Sequence, residues 1–221
     1  MSTAAGKGTR KRRKRGRADT VKRRTQRVHK VSRPVQRQIP ITELLSEESL
    51  DTLEQHADWI LKEIGIEFRG DAEALDLFRQ AGATVDDERV RFDAGHATAL
   101  CATAPSQFTM HARDPAYSIV VGNGTVSCTP GYGSPFVTDL EAGRRYASLE
   151  DFENFVKLTY SSPWLHHSGG TVCEPVDVPV NKRHLDMVYT HLRYSTKPFM
   201  GGVTAADRAL DSVAMARIVF G

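Results

Sequence analysis

The amino-acid sequence predicts an α/β fold in which helices come first, antiparallel strands follow, and parallel strand-helix units come last. Three changes in the spacing of apolar residues indicate this order. Apolar residues recur at helical spacing up to about residue 105, alternate with polar ones over 106–147, and then fall into short apolar segments separated by helices. The predicted divisions are a helical segment at 39–105, a β-meander at 106–147 and βα units at 148–221, after a basic tail at 1–38.

The tail differs from the rest of the chain in charge. Residues 1–37 hold 15 Lys and Arg and one acid, a net charge of +14, whereas residues 38–221 hold 15 Lys and Arg and 26 acids, a net charge of −11. Like charges repel and apolar residues are scarce, so the tail is predicted to be disordered. Its charge suits phosphate groups, and a module that binds nucleic acid or an acidic partner is the alternative function. No aromatic residues interleave with the basic ones, so nucleic acid is not the favoured partner.

Composition places the chain among soluble globular proteins, with 40% apolar and 26% charged residues. The three cysteines, Cys101, Cys128 and Cys173, are far apart and form no CxxC motif, which favours a reducing compartment over a disulfide framework. The sequence shows neither a membrane-spanning apolar run nor a secretory signal. The expected location is therefore the cytoplasm, with no membrane partner.

The helical segment begins near Ile39. A first helix runs from the N-cap Ser46 to Gly65, because acidic residues open it and apolar residues recur every three or four positions. A second helix spans 71–81, and a third ends before Pro105. Between these two helices, "ATVDDERVRFD" predicts a strand, a turn and a strand.

The middle of the chain predicts a β-meander built from "QFTMHARD", "YSIVVGNGTVSC" and "PFVTDLEAGRRYA". Asn123 and Gly124 predict a two-residue hairpin, because a type I′ turn requires positive φ at both positions. Gly143 occupies the permissive position of a second turn.

The last part alternates helices and apolar segments. Ser148 and Asp151 form a predicted capping box for a helix over "SLEDFENFVKLTYSS". The segments "WLHHSGGTV" and "KPFMGG" are predicted strands, each followed by a helix. Parallel βα units of this kind build barrels, but two of them cannot close one. The chain is therefore expected to be the first part of an incomplete α/β barrel.

The loop "GGTVCEPVDVP" is the predicted reactive region, since the loops after barrel strands carry the chemistry. Gly170 lets the backbone approach a ligand, and Pro179 suits the first turn of the next helix. Glu174 is a candidate to hold a cationic substrate or its metal, although an exposed loop acid is the favoured interpretation, because loop acids are usually solvated.

Two further residues are candidate ligands of a substrate. His166 and His167 are adjacent on a predicted strand and face opposite sides; His167 is the one assigned to the cavity. His184 and His191 do not have zinc-ligand spacing, so no metal site is predicted. Tyr132, between two glycines, presents a ring face that binds quaternary ammonium groups by cation–π attraction, or it is a surface loop tyrosine. The predicted substrate-binding residues are thus Tyr132, His167, Gly170 and Glu174, and no catalytic residue is assigned.

Most of the chain from Leu44 to Gly221 resembles the trimethylamine methyltransferase family of corrinoid-dependent enzymes. The order and spacing of several segments carry the resemblance: "LSEESLDTLEQHADWILKEIGIEF", "ALDLFRQAGATVDDERVRF", "APSQFTMHARDP", "PFVTDLEAGRRYASLEDFENFVKL" and "EPVDVPVNKRHLDMVYTHLRYSTKPFMGG".

The resemblance implies a TIM barrel that binds a methylated amine, with a corrinoid protein docked over the barrel mouth. The corrinoid is supplied by that partner and not bound by the chain itself, and its Co(I) takes a methyl group from a tertiary or quaternary ammonium nitrogen. Family members are longer than this chain, so an inactive or purely structural fragment is a further hypothesis. The substrate, trimethylamine or a quaternary amine such as glycine betaine, stays open. The oligomeric state is open too, with a homo-oligomer among the alternatives.

Overall fold

The computed structural model describes residues 34–221, so the predicted disorder of the basic tail lies almost entirely outside the described residues. These residues divide into two compact units. One comprises residues 37–108, and the other comprises residues 109–221 with the short segment 34–36. Each unit mixes helices and antiparallel strands, which confirms the predicted α/β class.

The unit of residues 37–108 contains three helices and a small antiparallel sheet. Its elements are α1 (Glu47–Trp59), a π-helical turn (Ile60–Ile64), β2 (Ile66–Glu67), α2 (Ala72–Gln80), β3 (Thr84–Asp86), β4 (Arg89–Arg91) and α3 (His96–Cys101). The sheet order is β2-β4-β3. The helices and the strand-turn-strand therefore lie where the sequence predicts them.

Local chemistry fixes the start of α1 and the end of the π-helical turn that follows it. The hydroxyl of Ser46 accepts the backbone N–H of Ser49 at 3.2 Å, which satisfies one of the free donors of the first turn. Gly65 follows the π-helical turn and adopts a φ of 70°, a positive value that favours glycine. The core of this unit is the buried cluster of Leu75, Val90 and Phe92.

The unit that contains residues 109–221 has two separate sheets. The strands are β1 (Val35–Gln36), β5 (Gln107–Met110), β6 (Ile119–Gly122), β7 (Thr125–Val126), β8 (Phe136–Asp139) and β9 (Gly143–Tyr146). Four of them form one sheet in the order β1-β7-β6-β5, and β8 and β9 form the other.

The prediction of one continuous meander is wrong, because β8 and β9 pair only with each other among the described residues. The intervening stretch contains Pro130 and Pro135, which have no N–H to offer a ladder and so interrupt pairing. The hairpin between β6 and β7 is confirmed: Asn123 and Gly124 have φ of 49° and 71°, as a type I′ turn requires.

Helix α4 (Leu149–Ser161) has the predicted capping box, in which Ser148 and Asp151 each accept the other's backbone N–H. The guanidinium of Arg145 on β9 adds two hydrogen bonds to Asp151, at 2.6 and 2.8 Å. These bonds hold the pKa of the Asp151 carboxyl well below its usual range. The helix buries Phe152 and Val156 completely, in a core shared with Val137 and Met187.

Two helices follow, α5 (Arg183–Tyr194) and α6 (Ala206–Phe220). Helix α5 begins later than predicted, so Pro179 does not lie in its first turn. Instead, the Pro179 carbonyl accepts the N–H groups of Lys182 and Arg183 in a turn that precedes the helix. None of the helices in residues 34–221 is long and apolar enough to cross a membrane.

The two predicted parallel strands are not regular strands. The segments around Gly169–Gly170 and around Pro198 carry no strand assignment, because glycines and a proline interrupt a continuous ladder. No closed barrel is present within residues 34–221.

Nevertheless, three segments run side by side in one direction, and we call 128–134, 166–174 and 197–202 the three parallel segments. Their hydrogen-bond partners advance together along the chain, which is the mark of parallel neighbours. The bonds are His166 N–H to Cys128 O (2.8 Å), Gly133 N–H to Thr171 O (2.7 Å), Ser168 N–H to Pro198 O (2.7 Å) and Met200 N–H to Gly169 O (2.9 Å). The middle segment leads to α5 and the last leads to α6, which is βα connectivity.

Candidate functional site

Tyr132 and Met200 meet across the glycine pair Gly169–Gly170. They come from the two outer parallel segments, and the tyrosine hydroxyl lies 3.9 Å from the Met200 sulfur. The glycine pair lies inside the middle segment, whose C-terminal end continues into the loop before α5. In βα proteins the ligands lie at that C-terminal end of the strands.

Gly169 is required by this crossing, whereas Gly170 has room for a Cβ at ordinary contact distance. A Cβ added to Gly169 would lie 2.6 Å from a Val172 methyl, 2.8 Å from the Pro130 ring and 3.5 Å from the Tyr132 ring. The φ of Gly169 is +101°, which other residues rarely adopt. A Cβ on Gly170 would lie 3.5 Å from that of Met200. Larger side chains at Gly169 would therefore displace the neighbours that shape the site.

His191 on α5 holds the middle segment in place. Its Nε2 donates to the Gly170 carbonyl at 2.9 Å, so its Nδ1 accepts the hydroxyl of Ser168, also at 2.9 Å. The imidazole packs edge-on against Phe152 and is stacked on Phe199. This burial lowers the pKa of His191 to about 4, so the ring is neutral at pH 7.

His167 is also buried and neutral. Its Nδ1 accepts the N–H of Gly169 at 2.9 Å, which places the ring proton on Nε2. That N–H has no hydrogen-bond partner among the described residues. Burial lowers the pKa of His167 to about 4. The site therefore contains a neutral donor rather than an imidazolium.

Glu174 is engaged by Arg183 at the start of α5. The guanidinium Nη1 donates to the carboxylate, while Nε and Nη2 donate to the Val178 carbonyl. The Glu174 side chain is about half exposed, and its charge is compensated by this partner. The contact ties the loop to the helix, so it gives Glu174 a structural role.

The structure thus brings Tyr132 and His167 next to the glycine pair, which includes Gly170, and it links Glu174 to α5. Substrate binding by these four residues stays a prediction. Sequence reasoning missed Ser168, Met200 and the role of His191. Helical spacing in the sequence could have placed His191 on the buried face of α5, but its hydrogen bond to Gly170 depends on how the helix packs. Residues 34–221 contain no group of three His, Cys, Asp or Glu side chains suited to a metal.

A cavity of about 360 Å³ lies beside the first two parallel segments and is lined mainly by apolar side chains of α4 and by Pro130 and Val172. None of the four predicted site residues lines it. An apolar cavity without convergent polar groups does not orient a charged ligand. The cavity therefore does not displace the glycine pair and its neighbours as the candidate site.

Comparison with known proteins identifies relatives over most of the chain. Residues 12–221 match the family model for trimethylamine methyltransferase (MTTB). The glycine betaine methyltransferase of Desulfitobacterium hafniense (strain Y51) is 40% identical over 183 residues, which is 83% of this chain and 38% of that protein. The proline betaine:corrinoid methyltransferase of Eubacterium limosum is 29% identical over 165 residues, 72% of this chain and 33% of that protein.

The chain accordingly spans well under half the length of both relatives. The matched region includes both compact units and the glycine pair. By this match, the chain belongs to the trimethylamine methyltransferase family.

Proposed function

We propose that the chain is part of a methyltransferase that moves a methyl group from a betaine or methylamine to the cobalt of a corrinoid protein. The observation that carries the proposal is the 40% identity to a glycine betaine methyltransferase over 83% of the chain. The name of the second relative includes the corrinoid acceptor. The acceptor is then a partner protein, and the cobalt supplies the nucleophile of the reaction.

Two relatives are named for betaines, whereas the family model is named for trimethylamine. We favour a betaine as substrate for this chain, with trimethylamine as the alternative. In both cases the methyl group is transferred from a cationic, alkylated nitrogen. The leaving group is then a neutral amine, which leaves more readily than the amide anion that a neutral nitrogen would release. The protein must desolvate that cation and hold one methyl group toward the acceptor.

The residues around the glycine pair have properties suited to that task. Tyr132 presents a half-exposed ring to a cation, and Gly170 lies against Met200 on the other side of the crossing. His167 is buried and neutral, and its bond to the Gly169 N–H supports the conformation of the glycine pair beside the ring. Glu174 contributes indirectly, since its bond to Arg183 fixes the loop that follows the glycine pair.

The parallel segments followed by α5 and α6 support the proposal that these residues begin a TIM barrel. Large apolar side chains on α6 are exposed, among them Leu210 at 71% and Ile218 at 83%. Exposed apolar surface of this kind is covered by further elements in a complete barrel. We therefore expect the 221 residues alone to be inactive, because the mouth that receives substrate and corrinoid partner is incomplete.

The test is an assay of methyl transfer to cob(I)alamin, in which the change in the absorption spectrum of the cobalamin is the readout. Two proteins are assayed: the 221-residue chain and a version extended to the length of the relatives. Each is given glycine betaine, proline betaine and trimethylamine in turn. The extended protein is expected to turn over a betaine, and the short chain none of the three. Turnover by the short chain would contradict its predicted inactivity. Failure of the extended protein with all three substrates would exclude the proposed activity.

A further inference from the structure

Met200 exposes a thioether at the point where it meets Tyr132. Its side chain is 50% exposed, whereas Met187 is buried and both Met110 and Met215 are partly buried. Thioethers are oxidised to sulfoxides, and exposure to solvent admits the oxidant. Among the methionines of residues 34–221, Met200 is therefore the one most open to oxidation.

Backbone hydrogen bonds hold the two outer parallel segments to the middle one on either side of this contact. The Met200 N–H donates to the Gly169 carbonyl at 2.9 Å. The N–H of Gly133, the residue after Tyr132, donates to the Thr171 carbonyl at 2.7 Å. The phenol oxygen and the sulfur, 3.9 Å apart, are therefore kept close by bonds that do not involve the side chains themselves.

Oxidation of the sulfur changes the strength of this contact. A thioether sulfur is a weak hydrogen-bond acceptor, whereas a sulfoxide is polar and its oxygen is a good acceptor. The new oxygen is bonded directly to a sulfur that lies 3.9 Å from the Tyr132 hydroxyl, so the hydroxyl can donate to it at about 2.7 Å, the ordinary length of an O–H···O bond. Such a bond joins the two outer parallel segments across the glycine pair.

We propose that Met200 is a reversible oxidation site, at which the sulfoxide accepts a hydrogen bond from Tyr132 and fixes the two outer segments to each other. The oxidant is a peroxide. The sulfur attacks one peroxide oxygen, a sulfur–oxygen bond forms and the oxygen–oxygen bond breaks. The departing hydroxide takes the proton of the transferred oxygen and becomes water, so the sulfur loses two electrons and the peroxide gains them. Methionine sulfoxide reductases reverse the change, one enzyme for each epimer.

Two measurements test the modification and its effect, both on the full polypeptide that contains residues 1–221 after exposure to dilute hydrogen peroxide. Peptide mapping by mass spectrometry should find Met200 oxidised while the buried Met187 stays unmodified. Hydrogen–deuterium exchange then follows the amides of Gly133 and Met200, whose bonds to the middle segment must open for exchange. Both amides should exchange about 2- to 10-fold more slowly after oxidation, the factor for one added hydrogen bond.

Two variants separate the proposed bond from other effects of peroxide. Tyr132→Phe keeps the ring and removes the hydroxyl, so its Met200 should still be oxidised but its amides should gain no protection. Met200→Leu keeps the exposed thiols of Cys101 and Cys128, so it reports any effect of peroxide that does not involve the thioether. Exchange in Met200→Leu should not change on treatment.

Equal oxidation of Met200 and Met187, unchanged exchange in the oxidised wild type, or an equal gain of protection in either variant would overturn the inference. If circular dichroism shows that Tyr132→Phe does not fold, treatment of the oxidised wild type with both sulfoxide reductases decides. The gain of protection must then disappear, and its persistence would contradict the proposal. None of these readouts involves methyl transfer, so failure of the proposed activity leaves the inference standing.

Discussion

Buried histidines hold the loop of the candidate site. His167 and His191 each accept one hydrogen bond through an unprotonated Nδ1, from the Gly169 N–H and from the Ser168 hydroxyl respectively. A proton on either Nδ1 would break that bond and place a charge among apolar neighbours. The conformation of the glycine pair therefore depends on two neutral rings.

This dependence predicts loss of stability in mild acid. The pKa of both histidines is lowered to about 4 in the folded protein, from an ordinary value of 6.5. Between pH 6.5 and 4 the unfolded chain binds protons that the folded chain does not, so the free energy of unfolding falls as the pH falls. The full effect is on the order of 3 kcal/mol for each histidine.

Urea unfolding between pH 7.5 and 4.5 measures this slope. His167→Asn keeps an acceptor near the position of Nδ1, and His191→Gln keeps a donor to Gly170, but neither residue titrates. Each variant should show a shallower dependence on pH than the wild type. Parallel curves for all three proteins would show that these histidines do not control acid stability.

At the level of elements, Lys197 joins α4 to the last parallel segment. Its Nζ donates to the carbonyls of Thr159, Ser162 and Leu165 at 2.7–2.8 Å, at the end of α4 and just beyond it. Burial lowers the pKa of this lysine to about 8, so it is still charged at neutral pH. A cation at the C-terminal end of a helix satisfies free carbonyl groups and complements the helix dipole.

Lys197→Met should destabilise the protein by about 2–5 kcal/mol, because three carbonyl groups lose their donor at once. The control is Lys157→Met on the same helix, whose ammonium is partly exposed and paired with Glu153. That change should cost about 1 kcal/mol or less. Chemical denaturation at pH 7 compares the two. If Lys197→Met lowers the free energy of unfolding no more than the control does, the three hydrogen bonds of Lys197 contribute no net stability.

At the level of the whole molecule, the basic tail and the folded body meet at β1. Val35 and Gln36 pair with Val126 and Thr125 of β7, and the Gln36 side chain donates to the Asn123 carbonyl at 2.9 Å. The predicted tail of residues 1–38 thus includes two residues, Val35 and Gln36, that belong to a sheet. Most of the positive charge of the tail lies before these two residues.

Two truncations separate the contribution of the basic segment to thermal stability from that of β1. Removal of residues 1–33 should leave the thermal midpoint unchanged, because that segment is dominated by charge and has little apolar surface to bury. Removal of residues 1–37 deletes β1 as well and should lower the midpoint by about 2–4 °C for each kcal/mol lost. Differential scanning calorimetry measures both. A large decrease on removing only residues 1–33 would show that the tail packs on the body.

Local signals in the sequence determined most of the elements. Ser46 and Gly65 bound a helix, Ser148 and Asp151 form a capping box, and Asn123–Gly124 makes a hairpin, because each depends on residues close together in the chain. The family resemblance was likewise readable, since it depends on the order of segments. The glycine pair could be singled out, although not the reason for it.

Tertiary structure alone decided which distant residues share the site. Tyr132, Gly169 and Met200 are far apart in sequence, and their meeting depends on the register of the three parallel segments. Packing of α5 brought His191 to Gly170, and it gave Glu174 a partner in Arg183. The split of the predicted meander also depended on which strands pair. Pairing and register between distant segments are fixed by the summed packing of the whole fold, and no local pattern of residues encodes them.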